Sequence, residues 1–231
     1  MMKLRHHRFL FSTLLLVICF SLSSCSAAGF VPKSDTTWGE LFRHFDSEEF
    51  SELDPQLQQM MDEAVLSQEV AENEAQPLTE VGSVGMIYPE EDAEEMSAIM
   101  ESSIYTSAEG RVVNPVSGPS QIFFSLVAYP HADPCFIQYG AHLTTFAECP
   151  AICLAVALKD ESGNYLAFDC SDEPTALTDA DPAMRLFTLS DEFEELENGR
   201  PYTIEARAFV LPPEGKTIEG SLYTEASLAT L

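Results

Sequence analysis

Six cysteines, five histidines and 38 acidic residues are the side chains here that could do chemistry. Cys135, Cys149, Cys153 and Cys170 fall in the second half of the chain, with His142 among them. One imidazole and three thiolates make an acceptable tetrahedral zinc set, so His142, Cys149, Cys153 and Cys170 are the candidate ligands, although their spacing matches no familiar zinc module. His131-Ala132-Asp133 beside Cys135 offers a base, an orienting carboxylate and a nucleophile, but the flanking Pro130 and Pro134 mark the segment as a turn. Asp169, Asp172, Glu173, Asp179 and Asp181 could supply calcium with oxygens; calcium wants six to eight of them, and no loop here has the EF-hand spacing with its central Gly. Carboxylate pairs suited to glycoside hydrolysis are guaranteed by chance among so many acids. No Gly-x-Ser-x-Gly, His-Glu-x-x-His, papain-like or phosphate-cradling motif occurs. The expectation is a protein with no catalytic residue and no cofactor.

Which of these chemistries is open depends on the compartment, and the first 26 residues address that. Lys3, Arg5 and Arg8 form a basic start without an acid, Phe9 to Phe20 are almost wholly apolar, and Leu22-Ser23-Ser24-Cys25 closes the segment. This is the pattern of an export signal. The apolar run is too short to span a bilayer, which takes roughly 18 residues or more. Leu22-Ser23-Ser24-Cys25 resembles the lipobox of bacterial lipoproteins. That resemblance implies cleavage after residue 24, lipid on Cys25, and an ectodomain held in the bacterial cell envelope. Ser26 stands where an Asp would resemble the inner-membrane retention signal, so the outer membrane is the implied destination in a diderm cell.

The charge agrees with an exterior address. The signal holds three of the 11 basic residues and none of the acidic ones, leaving eight basic against 38 acidic residues in the exported part. Such a surface repels phosphate backbones and anionic headgroups, which excludes nucleic acid as a partner and leaves lipid on Cys25 as the membrane attachment.

The elements that must position the side chains change character along the chain. Residues 25–35 read as a lipid tether and 36–110 as an acidic, helical and partly disordered region. Trp38, Leu41, Phe42 and Phe45 make one apolar stripe, predicting a helix from about Thr37 to Phe45. Asp54-Pro55 is an N-cap followed by Pro at the first helical position, and the helix it opens is predicted to reach about Asn73. From Glu74 to Tyr88 the pattern fades around Pro77, Gly82 and Gly85. A third helix is predicted from Glu90 to Ser103. Residues 111–119, with two prolines and a glycine, are the expected linker.

From residue 120 to 231 the period becomes that of strands. Seven runs rich in aromatic and β-branched residues are separated by turns: Gln121 to Ala128, Phe136 to Thr144, Ile152 to Lys159, Tyr165 to Cys170, Arg185 to Ser190, Tyr202 to Val210 and Ser221 to Leu228. The fold class is therefore mainly β, a C-terminal antiparallel sandwich of about seven strands. In the sixth run Tyr202, Ile204, Ala206 and Ala208 alternate against Thr203, Glu205 and Arg207. Leu196, Gly199 and Tyr202 resemble the E-to-F corner of fibronectin type III and related immunoglobulin-like domains, where such a Tyr caps the corner. The resemblance covers about half of the exported chain, lacks the early-strand Trp of those families, and implies an adhesion, spacing or recognition module.

Export also favours disulfides over metal for Cys135, Cys149, Cys153 and Cys170. If the strands alternate up and down, Cys135 lies at one end of the sandwich and the other three gather at the far end, about 30 Å away and beyond the roughly 7 Å limit for a bridge. Cys170 is thus expected to pair with Cys153 or Cys149. Pairing Leu158 with Tyr165 sets Cys153 opposite Cys170; slipping by one residue sets Leu154, Val156 and Leu158 opposite Cys170, Phe168 and Leu166 and favours Cys149. Either way Cys135 lacks a partner, or the second strand breaks at Gly140. The functional expectation is a lipid-anchored, non-catalytic binding or assembly module with a protein partner in the envelope. The alternatives are a zinc- or calcium-binding lipoprotein and a carboxylate-dependent hydrolase.

Overall fold

Thr37 starts the first helix, α1 (Trp38–Phe45), with a reciprocal cap: its hydroxyl accepts from the Glu40 N–H at 3.1 Å and the Glu40 carboxylate accepts from the Thr37 N–H at 3.2 Å. Asp46 then ends α1 and caps α2 (Ser47–Glu52), accepting from the Glu48 and Glu49 amides. Asp54 and Pro55 open α3 (Pro55–Glu63) as expected. The computed structural model describes residues 29–66, 79–94, 120–172, 175–177, 184–220 and 222–229. The expected signal at 1–24, Cys25 and the expected linker at 111–119 lie outside them.

α3 stops at Glu63, ten residues short of the expected Asn73. The chain turns back instead, with the Trp38 N–H donating to the Ala64 carbonyl and the Leu66 N–H to the Thr36 carbonyl, both at 2.9 Å. That pairing draws Ala64 and Leu66 into the apolar cluster, which a continuing helix would carry them away from. α1 and α3 approach closely because residue 39 is Gly: a Cβ there would meet the Asp62 backbone nitrogen at 3.1 Å as well as its carboxylate. Asp62 then reaches Arg43, one turn on, in a two-pronged ion pair.

The seven expected strands are all present, and the described residues contain three more. In chain order they are β1 (Thr79–Pro89), β2 (Ser120–Ala132), β3 (Cys135–Thr145), β4 (Ile152–Asp160), β5 (Tyr165–Ser171), β6 (Thr175–Leu177), β7 (Arg185–Phe193), β8 (Pro201–Val210), β9 (Lys216–Glu219) and β10 (Tyr223–Ala229). One antiparallel sheet has the order β6-β7-β3-β2-β1-β9 and the other β10-β8-β4-β5. β1 falls inside the region read as helical and fading, yet it lies between β2 and β9. Its glycines are the reason it reads badly. At Gly85 a Cβ would meet Ile122 Cγ2 and the Glu219 carbonyl at 2.9 Å, so the neighbouring strands fill the space that a side chain would need. After Pro89 only a 3-10 turn, Glu90–Asp92, precedes the end of the described segment at residue 94; the rest of the helix predicted to Ser103 lies outside it.

The sheets enclose a core of Ile122, Phe124, Leu126, Ala141, Leu143, Leu154, Val156, Ile204 and Ala206. A second apolar layer lies behind the four-stranded sheet. There Trp38, Leu41, Phe42, Leu57 and Met61 of the helices pack on Cys153, Ala155, Ala157, Tyr165 and Phe209. The protein is thus layered helix on sheet on sheet, and β4, covered on both faces, is buried at every position from Ile152 to Leu158. Residues 29–35 are not a free tether. Phe30 and Tyr165 exchange both backbone hydrogen bonds, at 2.7 and 2.9 Å, and the Phe30 ring packs against the helix layer.

The β4–β5 hairpin takes neither expected register along its whole length. Next to the turn Lys159 pairs with Tyr165, as in the second alternative; a bulge between Leu158 and Lys159 then shifts the ladder so that Ala155 faces Cys170 and Ala157 faces Phe168. With both faces of β4 apolar, the hydrophobic pattern cannot choose between registers.

Candidate functional site

Cys153 and Cys170 form a disulfide, diagonal across the β4–β5 ladder with Cα atoms 6.7 Å apart. It lies in the layer between helices and sheet. Cys149 precedes β4 as a free thiol packed on the sandwich core, and burial pushes its pKa up. Cys135, also free, opens β3 at the β2–β3 hairpin tip, and β3 continues unbroken through Gly140. His142, between the core residues Ala141 and Leu143, points from the six-stranded sheet away from the core and meets Thr188 Oγ1 at 3.1 Å. His142 and Cys153 therefore lie on opposite outer faces of the sandwich. The structure does not bring the candidate zinc ligands together, and two of them are spent on the bridge.

His131 sits near the β2–β3 hairpin tip and stacks flat on Phe136, centroids 4.1 Å apart, while Asp133 is in the turn itself. Of the calcium candidates, Asp169 accepts a hydrogen bond from the Tyr139 hydroxyl across the two sheets and Asp172 is exposed. Glu173, Asp179 and Asp181 lie outside the described residues. Among the described residues no group of three or more His, Cys, Asp or Glu side chains is arranged to hold a metal ion.

Sequence reading missed a polar cluster on the helix-covered face of the four-stranded sheet. Glu205 on β8 is buried and directly faces Glu225 on β10. Lys159 donates to Glu205 and stands 3.8 Å from Glu225; Tyr165 donates to Glu205 at 2.6 Å and Tyr223 to Glu225 at 3.1 Å. Burial, reinforced by these carboxylates, raises the pKa of both tyrosines, so their hydroxyls remain donors. The signal was present in the alternation that turned Glu205 and Arg207 away from the sandwich core. That face is dry because the helices cover it. Beside the cluster, a groove of about 440 Å³ runs between α3 and β8, with Met60, Glu63, Arg207, Phe209 and Leu222 among its lining. The Arg207 guanidinium lies over the Phe209 ring at 5.2 Å.

These carboxylates give stability an unusual pH dependence. Burial is the first cause that raises Asp169 and Glu225, and it also raises Glu49, where neighbouring acids add to it. Between their ordinary and raised pKa values the folded chain binds protons that the unfolded chain does not, so stability falls as pH rises through that window. His142 opposes this: burial lowers its pKa against the pull of Glu80, so it takes stability away as pH falls below the ordinary imidazole value. Burial raises Asp160, but hydrogen bonds from Asn164, Ser162 and Gly163 together outweigh it and hold the carboxyl below its ordinary value; its contribution is lost only at lower pH. With three raised carboxylates against one histidine, and a net charge of −27 relieved on acidification, the expected melting temperature is higher at pH 5.5 than at pH 8. A melting temperature lower at pH 5.5 than at pH 8 would contradict this account.

The opposite outer face, on the six-stranded sheet, has a different character. Val84 and Phe123 are direct cross-strand neighbours, 43 and 39% exposed, and Tyr129, further along β2 on the same face, is 38% exposed. Together they are the largest apolar side chains that the described part of this sheet shows to solvent. No protein-family model, no curated protein and no solved structure matches the chain.

Proposed function

We propose that this protein is a lipid-anchored, non-catalytic lipoprotein of the bacterial cell envelope that acts as a binding or assembly module, meeting a protein partner through the outer face of its six-stranded sheet. The observation that carries the reading is the Val84–Phe123 pair, with Tyr129 about 20 Å further along β2 on the same face: apolar and aromatic side chains exposed on a sheet face are what a recognition surface needs, and aromatics are enriched at such contacts. The lipobox resemblance at Leu22-Ser23-Ser24-Cys25 supplies the anchor. Two features support the immunoglobulin-like resemblance of the body. β10-β8-β4-β5 and β7-β3-β2 follow the strand neighbourhoods of that sandwich, with the G, F and C strands plus an added edge strand in one sheet. In addition, the Tyr202 hydroxyl accepts the Glu197 N–H at 3.0 Å, closing the corner that leads into β8.

Crosslinking in native membranes tests the proposal. The full-length protein is expected to give a discrete crosslinked adduct that Phe123→Asp reduces at least tenfold, while Ser227→Asp, an exposed change on the other sheet, leaves it intact. Phe123 points out of the core, so the variant is expected to melt within a few degrees of the parent. An adduct pattern indifferent to Phe123→Asp would refute this surface as the contact.

A further inference from the structure

Where the described chain begins, two exposed apolar side chains stand on either side of one backbone pair. Phe30 and Tyr165 form a closed backbone pair on the free edge of β5, which sets Gly29 beside Leu166: a Cβ on Gly29 would lie 3.3 Å from Leu166 Cδ2. Phe30 and Tyr165 pack into the helix layer, and Val31 and Leu166 are not part of it. Val31 is 71% exposed and Leu166 37%. The two residues lie on either side of the Phe30–Tyr165 pair and make a small apolar rim where the described chain begins.

We propose that this rim, Val31 and Leu166 at the β5 edge, is a membrane-contacting edge that seats the domain on the bilayer. The inference rests on lipid at Cys25 as proposed above. Only Ser26, Ala27 and Ala28 separate Cys25 from Gly29, and four fully extended steps reach at most about 14 Å. The tether is therefore shorter than the body it holds, and the edge carrying Phe30 is the part kept at the bilayer surface. Confinement at that range makes a contact of two side chains effective, because the anchor raises the local concentration of the surface it meets. The contact is apolar. A chain with 38 acidic and 11 basic residues gains nothing from anionic headgroups, whereas Val31 and Leu166 can enter the boundary between headgroups and acyl chains of a neutral bilayer.

The test uses the full-length lipidated protein, purified from membranes and reconstituted into phosphatidylcholine vesicles with brominated acyl chains. Trp38 is the one native Trp and is buried, so the unmodified chain sets the background. Val31→Trp is expected to show at least a twofold loss of its added emission in brominated vesicles, Leu166→Asp in the same background to restore half or more of it, and Phe123→Trp on the far sheet to lose none. Flotation separates the two readings. If the protein floats with vesicles, and Cys25→Ser does not, while Val31→Trp is quenched no more than Phe123→Trp, the membrane-contacting edge is overturned and the anchor stands. If the unmodified protein does not float, the anchor fails and the edge proposal falls with it.

Discussion

Trp38→Ala is expected to destabilise the protein by about 3–5 kcal/mol, the usual range for emptying a large aromatic site in a core. Trp38 is fully buried and joins the helices to the sheet, its ring 6.3 Å from Phe168, 6.1 Å from Phe209 and 6.4 Å from Tyr223. Its truncation opens the layer that dries Glu205 and the disulfide. Trp38→Phe is the instructive companion. The indole Nε1 is buried with no hydrogen-bond partner among the described residues, and an unsatisfied donor of that kind costs about 1–3 kcal/mol. Phe removes the donor and keeps most of the ring, so its expected cost is about 1 kcal/mol. Urea unfolding followed by far-ultraviolet circular dichroism measures both. Equal midpoints for the two variants would mean that the helix layer does not depend on this ring.

Glu205→Ala is the second large effect, about 3 kcal/mol, the low end of what removing one member of a buried ion pair costs. The low end applies because 21% of the Lys159 side chain remains in solvent and Lys159 has Glu225 within 3.8 Å to turn to. The Tyr165 hydroxyl loses the carboxylate to which it donates at 2.6 Å and is left dry. Glu205→Gln keeps an acceptor in place and is expected to cost about 1 kcal/mol. A Lys159→Ala/Glu205→Ala double-mutant cycle isolates the pair itself, and a coupling within about 0.5 kcal/mol of zero would show that burial of Glu205 is sustained by something other than Lys159.

Much of the sandwich was legible because its strands obey a period of two over a face that is half dry. Tyr202 to Val210 is the clearest example: Tyr202, Ile204, Ala206 and Ala208 all face the core as their spacing requires. The helix starts were legible for another local reason, since Thr37, Asp54 and Pro55 act within three residues of themselves. What could not be read is what depends on distant coverage. Glu205 and Arg207 carry the composition of a solvent face, and only the docking of Trp38, Phe42 and Met61 makes that face an interior one. β1 was hidden for the same kind of reason, because Gly82 and Gly85 look like breaks until Phe124, Ile122 and Glu219 are seen to crowd them. The disulfide partner was one of two options, and the register that separates them turned on a bulge that no hydrophobic pattern encodes. The exposed apolar side chains of Val84, Phe123 and Tyr129 were equally out of reach as a group, since Val84 belongs to the unread strand.

The Phe30–Tyr165 pair also defines a load path. Tension applied to the chain at Gly29 enters the fold through two backbone hydrogen bonds on β5, and β5 is fastened covalently to β4 by Cys153–Cys170. β4 is buried from both sides, so a pull at Gly29 is handed from an edge to an enclosed strand without relying on ladder hydrogen bonds alone. An edge wired this way resists peeling at Gly29, and reduction of the Cys153–Cys170 bridge leaves β4 and β5 joined by their ladder alone.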